Sequence, residues 1–374
     1  MMATDTSTDA VTALTDAWYN QLAASLSLSV RNFQLLQPPA VPTGDQSLWD
    51  SFNVVPPVTL KYNRWVYQQP AFFKQYAALV NSLSFPESAF VEDIGADTYV
   101  QWTAYLKTVS PPPAPNELPG VWFQWAMLHA PSVANIGRSD LATQLLIGGA
   151  QAALEPYEGP DAKQADYSPS FGDLKNILKL SSGASFSFDS STADPDVSGS
   201  WVPGDDPNYF GVWTGSSTAF RISRKFALSK ITVTAAFDHF GVVPVTPGPW
   251  YNSSMLHLAW VSGASVPPWV SESDWDRYFG ASGKLTHAIG SVLAADGITL
   301  TLHSDANFSP EEQAVIRVLA LMGDWPVYCP VQLSAITNTV TSAPGSLTIR
   351  FHAAPGNPVI LGYNVFDIRS YTGA

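Results

Sequence analysis

Five aspartates, Asp189, Asp194, Asp196, Asp205 and Asp206, fall between Ser181 and Phe220 with no lysine or arginine among them. Uncompensated carboxylates in a turn-rich stretch suit a hard cation such as Ca²⁺, which takes about six to eight oxygen ligands. The spacing is not that of an EF-hand, and Asp-Pro-Asp and Gly-Asp-Asp-Pro-Asn are also ordinary solvated turns. Calcium held by Asp194, Asp196, Asp205 and Asp206 is therefore an expectation that competes with a plain acidic loop. No other cofactor is expected.

A second chemistry is offered by Trp201, Tyr209, Trp213, Trp250, Tyr251 and Trp269, which crowd the same loop-rich region. Exposed rings of this kind stack on sugars or sit at membrane interfaces. Buried, the same rings fill a core beneath long loops. These six positions are the candidate ligand-binding residues.

Acid–base and nucleophilic chemistry finds less to work with. The six histidines, His129, His239, His257, His287, His303 and His352, show no zinc-ligand spacing. Asp238 precedes His239 at the end of an alternating segment, but adjacent strand residues face opposite sides, so the aspartate cannot orient its neighbour. There is no Gly-x-Ser-x-Gly elbow, no Ser-x-x-Lys pair and no phosphate-cradling glycine loop. Cys329 is the single cysteine, so an intramolecular disulfide is excluded.

These residues must be positioned by elements whose pattern changes along the chain. Val11, Leu14, Trp18, Leu22 and Leu26 recur at intervals of three and four, one stripe of an amphipathic helix. The same spacing predicts helices over 70–83, from Asp97 through Leu106, and over 139–154, although Gly148 and Gly149 weaken the last. Pro111 to Pro115 reads as a stiff connector, followed by the Trp- and Phe-rich 121–129 segment, which reads as buried.

After Leu180 the pattern becomes alternation. Ala184 to Asp189 and Lys230 to Phe240 are predicted strands, the latter with Ile231, Val233, Ala235, Phe237 and His239 on one side. Asp296-Gly297, between two apolar runs, predicts a tight hairpin. Ser309-Pro310-Glu311-Glu312 carries cap, N1 proline and capping-box glutamate for a helix from Pro310 to Met322. Final strands are expected over 331–341, 346–352 and 359–368, joined by Pro-Gly turns.

The fold class expected is α+β: a mainly helical, proline-interrupted region over 1–165, a connector over 166–181, and a β-rich domain over 182–374. The helices are expected to pack against an antiparallel β-sandwich with short helical insertions. A net charge of −13, with charged residues only 13% of the chain, excludes nucleic acid as a partner. With no Sec-type signal peptide and no long apolar run, cytoplasmic synthesis of a soluble protein is expected, with non-classical export left open.

The function expected is a non-enzymatic binding or self-assembling protein, toxin-like in type, meeting a protein partner, itself, a glycan or a membrane through its aromatic loops. A hydrolase assembled from dispersed His and Asp or Glu residues is the first alternative, and a glycan-binding module the second.

Overall fold

A computed structural model describes residues 19–29, 32–56, 71–189, 222, 225, 229–321, 336–343 and 345–371. Along the chain its elements run β1 (Phe33–Ala40), α1 (Asp45–Phe52), α2 (Phe72–Asn81), α3 (Glu87–Ile94), α4 (Ala96–Leu106), α5 (Leu118–His129) and α6 (Ala134–Leu154). There follow α7 (Phe171–Lys179), β2 (Ala184–Asp189), β3 (Ile231–Pro244), α8 (Ser253–Val261), α9 (Ser273–Phe279), β4 (His287–Ser304), α10 (Pro310–Leu321), β5 (Ile336–Ala343), β6 (Ser346–Ala353) and β7 (Val359–Asp367). The class is α+β, with helices dominating the first half and an antiparallel sheet the second. No helix among the described residues is long and apolar enough to cross a membrane.

Two compact units divide these elements. One takes in the described residues of 1–69, 167–246 and 289–366, the other those of 70–166, 247–288 and 367–374.

In the first unit the strands lie in the order β1, β7, β4, β3, β2, with β6 also on β4 and β5 beyond it. Strand β4 causes the branch. Its residues 291–304 pair with β3 throughout, while on the other side residues 298–304 pair with β6. The alternation predicted for β3 holds from Ile231 to Phe237, whose odd positions are buried. It then slips: Phe240 is buried and stacks on Phe237 at 5.0 Å, and half-buried His239 hydrogen-bonds through Nδ1 with the Ser181 carbonyl at 3.0 Å. One apolar cluster joins β1, β3, β4, β6 and β7 with Tyr19 and Leu22 of a helical turn at 19–25 and with Ile316 of α10. The earlier part of the predicted N-terminal helix lies outside the described residues.

Asp296-Gly297 is not a hairpin. The two flanking segments do not fold back on each other, because β3 pairs with both and keeps β4 continuous for 18 residues. Gly297 still has φ +65°, and Asp238 occupies the space a side chain there would need: a Cβ would lie 2.2 Å from Asp238 Oδ2. The buried Asp296 carboxylate accepts from the main-chain N–H groups of Gly356 at 2.8 Å, Asn357 at 3.0 Å and Gly297 at 3.1 Å. It therefore clamps the turn between β6 and β7, where Gly356 has φ +92°.

The capping box before α10 is present in both halves. Ser309 N–H donates to Glu312 Oε2 at 2.8 Å, and Glu312 N–H donates to Ser309 Oγ at 3.3 Å. Glu312 also meets Lys225 Nζ at 2.7 Å.

The second unit is helical. Here α5 and α6 form a hairpin around Pro131–Val133, and Gly137 permits the close approach, since a Cβ would lie 2.5 Å from the Trp122 ring. Trp122 is fully buried and donates from Nε1 to the Ala134 carbonyl at 2.9 Å. Around it gather Trp102, Trp125 and Phe90 at ring separations of 5.3, 5.4 and 5.3 Å, mostly edge-on or tilted as aromatic quadrupoles prefer. Gly95, at φ +83°, separates α3 from α4 and lets both reach this cluster.

Candidate functional site

A half-open cleft of about 510 Å³ lies within the helical unit, on the flank of the Trp102–Trp122 cluster. Helix α3 contributes Glu87 and Phe90, α4 contributes Tyr99, Trp102 and Leu106, and α6 contributes Leu141, Gln144, Ile147, Gly148 and Gln151. Leu83 to Phe85, between α2 and α3, close one end, where Gln151 Nε2 donates to the Leu83 carbonyl at 3.3 Å. The floor is apolar where α4 turns to the cleft the stripe that predicts it as a helix, Tyr99, Trp102 and Leu106; of the stripe that predicts α6, Leu141, Leu145 and Ala152, only Leu141 lines the cleft.

Why the space stays empty is local. At Gly148 a Cβ would meet nothing within 4 Å, so the glycine weakens α6 yet opens the wall of the cleft. Polar groups sit at its edges. The Tyr99 hydroxyl donates to Glu87 Oε1, and this bond, with burial and the Glu87 charge behind it, pushes the tyrosine pKa up. Glu87 Oε2 has no hydrogen-bond partner among the described residues, nor has the Gln144 side chain, whereas Thr103 spends its hydroxyl on the Tyr99 and Val100 carbonyls. A cleft of this size, mainly apolar with a few placed polar groups, has the make-up of a small-molecule site.

One carboxylate in this unit is strongly perturbed. Asp140 on α6 is only 6% exposed, and its Oδ2 has no partner. Burial, then the charge of Asp93 on α3, then a hydrogen bond with Asp93, push its pKa up to about 6. Such a value suits a general acid, but Asp140 does not line the cleft and so has no route to a ligand there.

The predicted site residues fall elsewhere. Trp201, Tyr209, Trp213, Asp194, Asp196, Asp205 and Asp206 lie outside the described residues, as does Cys329. Trp250 and Trp269 are buried within the helical unit, not displayed on loops of the sheet. Trp250 is enclosed by Phe72, Phe73, Tyr76 and half-buried Tyr251, and donates from Nε1 to the Asp166 carbonyl at 2.9 Å. Trp269 stacks on Tyr278 at 6.0 Å. Neither Trp250 nor Trp269 presents a face for a sugar to stack on.

The histidines are dispersed, and none lines the cleft. His303 hydrogen-bonds with Thr348 and His352 with Thr299 across neighbouring strands, while His129 stacks on Trp125. Among the described residues no three of His, Cys, Asp and Glu come together as a metal ion would require.

The cleft residues escape a reading of local pattern because they come from four helices, Leu118 of α5 among them, and one connector. The available signal was Gly148-Gly149, two glycines inside an apolar helical stripe. No protein-family model, curated protein or solved structure matches this chain.

Proposed function

We propose that this chain is a non-enzymatic binding protein whose site is the cleft of the helical unit. One observation carries the reading: a half-open volume of about 510 Å³, floored by aromatic and aliphatic side chains and edged by the Tyr99–Glu87 pair and Gln144. Occupation by an apolar ligand would remove the exposed apolar surface of Tyr99, Leu106, Leu118 and Leu141 from water, at roughly 25 cal/mol per Å². Nothing perturbed enough for acid–base work reaches the same space, which favours binding over the hydrolase alternative.

The test uses a substitution that the geometry tolerates. Gly148→Phe places a ring in the cleft where no atom now stands, and the lost helix glycine offsets strain by up to about 1 kcal/mol. Wild-type protein is expected to bind 1-aminoanthracene, a neutral aromatic probe, at one saturable site, and the variant to lose that site at an unchanged melting temperature. Saturable binding that survives Gly148→Phe, or no saturable binding to wild type, removes this reading.

Self-association is a second reading, favoured by the large apolar side chains that α5 and α6 leave in water. Leu128 is 82% exposed, with Met127 and Ile136 nearby in sequence also exposed. Sedimentation velocity over a wide concentration range decides it: Leu128→Lys is expected to abolish any larger species, and a larger species that persists removes this surface from consideration. The sandwich-like form of the β-rich domain also belongs here. It is supported by the single cluster drawing on β1, β3, β4, β6 and β7, which suits a curled sheet better than a flat one.

A further inference from the structure

The charge pattern of the cleft says more than its shape. Among the fifteen residues that line it, Glu87 is the one acidic residue, and no lysine, arginine or histidine is present. Of the four aromatic residues in the lining, Phe90 and Trp102 are buried while Phe85 and Tyr99 are partly exposed, and a ring face is the negative end of the aromatic quadrupole. A carboxylate and two partly exposed rings without a compensating cation in the lining favour positive charge, within a chain whose net charge is −13.

Glu87 is moreover only half engaged. Its Oε1 takes the Tyr99 hydroxyl, and this fixes the carboxylate against α4, while Oε2 remains open to a donor from the cleft. Half-buried Tyr99 meets the buried Phe90 ring nearly edge-on, at 6.3 Å and 79°, so it is the Tyr99 ring that can border a cation held by Glu87.

We infer that the natural ligand of this cleft is a small organic cation, an alkyl- or aryl-ammonium whose charged head lies between Glu87 and the ring of Tyr99. Its apolar body fills the floor toward Leu141, Ile147 and Gly148. The volume sets the size at on the order of ten to twenty non-hydrogen atoms, at ~30 Å³ each. This inference rests on the binding function proposed above and adds the chemical class of the ligand.

Three probes, each a benzene ring with one compact substituent, separate the two claims. Phenyltrimethylammonium is the cation, tert-butylbenzene its neutral isostere, and benzoate the anion; each is titrated by calorimetry or by ligand-observed NMR. Wild-type protein is expected to bind the cation at least tenfold more tightly than the neutral isostere and to show no binding of benzoate. Glu87→Gln should weaken the cation about tenfold and leave the isostere unchanged, Tyr99→Phe should weaken the cation to a smaller extent, and Gly148→Phe should remove both ligands. Melting temperatures of all variants establish that they are folded.

If the isostere binds as well as the cation, or Glu87→Gln leaves the cation unaffected while Gly148→Phe still removes it, the cation assignment falls and the cleft remains a binding site. If no probe binds up to 5 mM (roughly the millimolar floor of measurable affinity), or Gly148→Phe changes nothing, the cleft is not the site and both claims fall.

Discussion

Replacing Asp140 by asparagine is expected to stabilise the protein at pH 7.5 and to flatten its stability between pH 4 and 6. The reasoning starts from a carboxyl group that α6 buries beside Asp93 of α3, so that burial first and the neighbouring charge second push its pKa from 3.8 up to about 6. Because the folded value lies above the unfolded one, the folded state holds the proton more tightly. The stability contributed by the protonated group is fully present below about pH 4 and is lost as the pH rises through about 6.

Two pKa units correspond to about 3 kcal/mol. Asp93 is exposed and its charge is screened by water, which reduces the penalty to about 1–2 kcal/mol at neutral pH. Asparagine keeps the shape, donates to Asp93, and cannot ionise. Urea denaturation followed by intrinsic tryptophan fluorescence, to which Trp102, Trp122 and Trp125 contribute, measures the effect at pH 4, 5, 6 and 7.5, and the quantity of interest is variant minus wild type, which cancels the titration of other carboxylates. A gain of about 1–2 kcal/mol at pH 7.5 that vanishes by pH 4 is the expected result. A variant less stable than wild type at pH 7.5, or a difference that does not change with pH, refutes the account of a penalised carboxyl pair.

Gly137→Ala should destabilise by about 1–3 kcal/mol despite its better helix propensity, because the new Cβ meets the buried Trp122 ring at 2.5 Å; an unchanged urea midpoint would show that α5 and α6 are not held this closely. Asp296→Ala leaves the Gly356 and Asn357 N–H groups without their acceptor and is expected to cost about 2–4 kcal/mol, together with faster amide exchange at those two positions. Ser309→Ala removes the acceptor for the Glu312 N–H and should lower stability by about 1 kcal/mol, readable as a drop in the denaturation midpoint, with the Glu312 to Lys225 ion pair retained.

Where the fold was legible in the sequence, the determining interactions are short in range. Strand β2 appears where Phe186 alternates with polar neighbours, and α10 begins at the serine, proline and glutamates that cap it, because such signals lie within about four residues of one another. Asp296-Gly297 failed for the complementary reason. Its preference for positive φ is met at Gly297, yet whether a positive φ becomes a hairpin or a bend depends on which strand pairs with the flanks. That strand, β3, lies more than fifty residues earlier in the chain. Likewise His239 shares the phase of Phe237 in an ideal alternation, and the slip goes with long-range bonds, from His239 to the Ser181 carbonyl and from the Phe240 N–H to Ser181 Oγ.

The same distinction governs the site. Aromatic density singled out Trp250 and Trp269, but density is a property of the chain, whereas exposure is a property of the packing, and both indoles proved to be core. In a chain that is 12% aromatic, rings are too common to mark a site by themselves. What distinguishes Tyr99 from Trp250 is the neighbour that is missing. Trp250 is enclosed by Phe72, Phe73 and Tyr76, while Tyr99 borders a wall in which α6 places glycine at 148. A glycine costs a helix interior about 0.5–1 kcal/mol relative to alanine, and no close packing at Gly148 compensates for that loss, in contrast to Gly137 against Trp122. Gly137 and Gly148 of α6 thus differ in meaning: Gly137 makes room for the Trp122 ring, and Gly148 leaves a place in the cleft wall that the proposed ligand would fill.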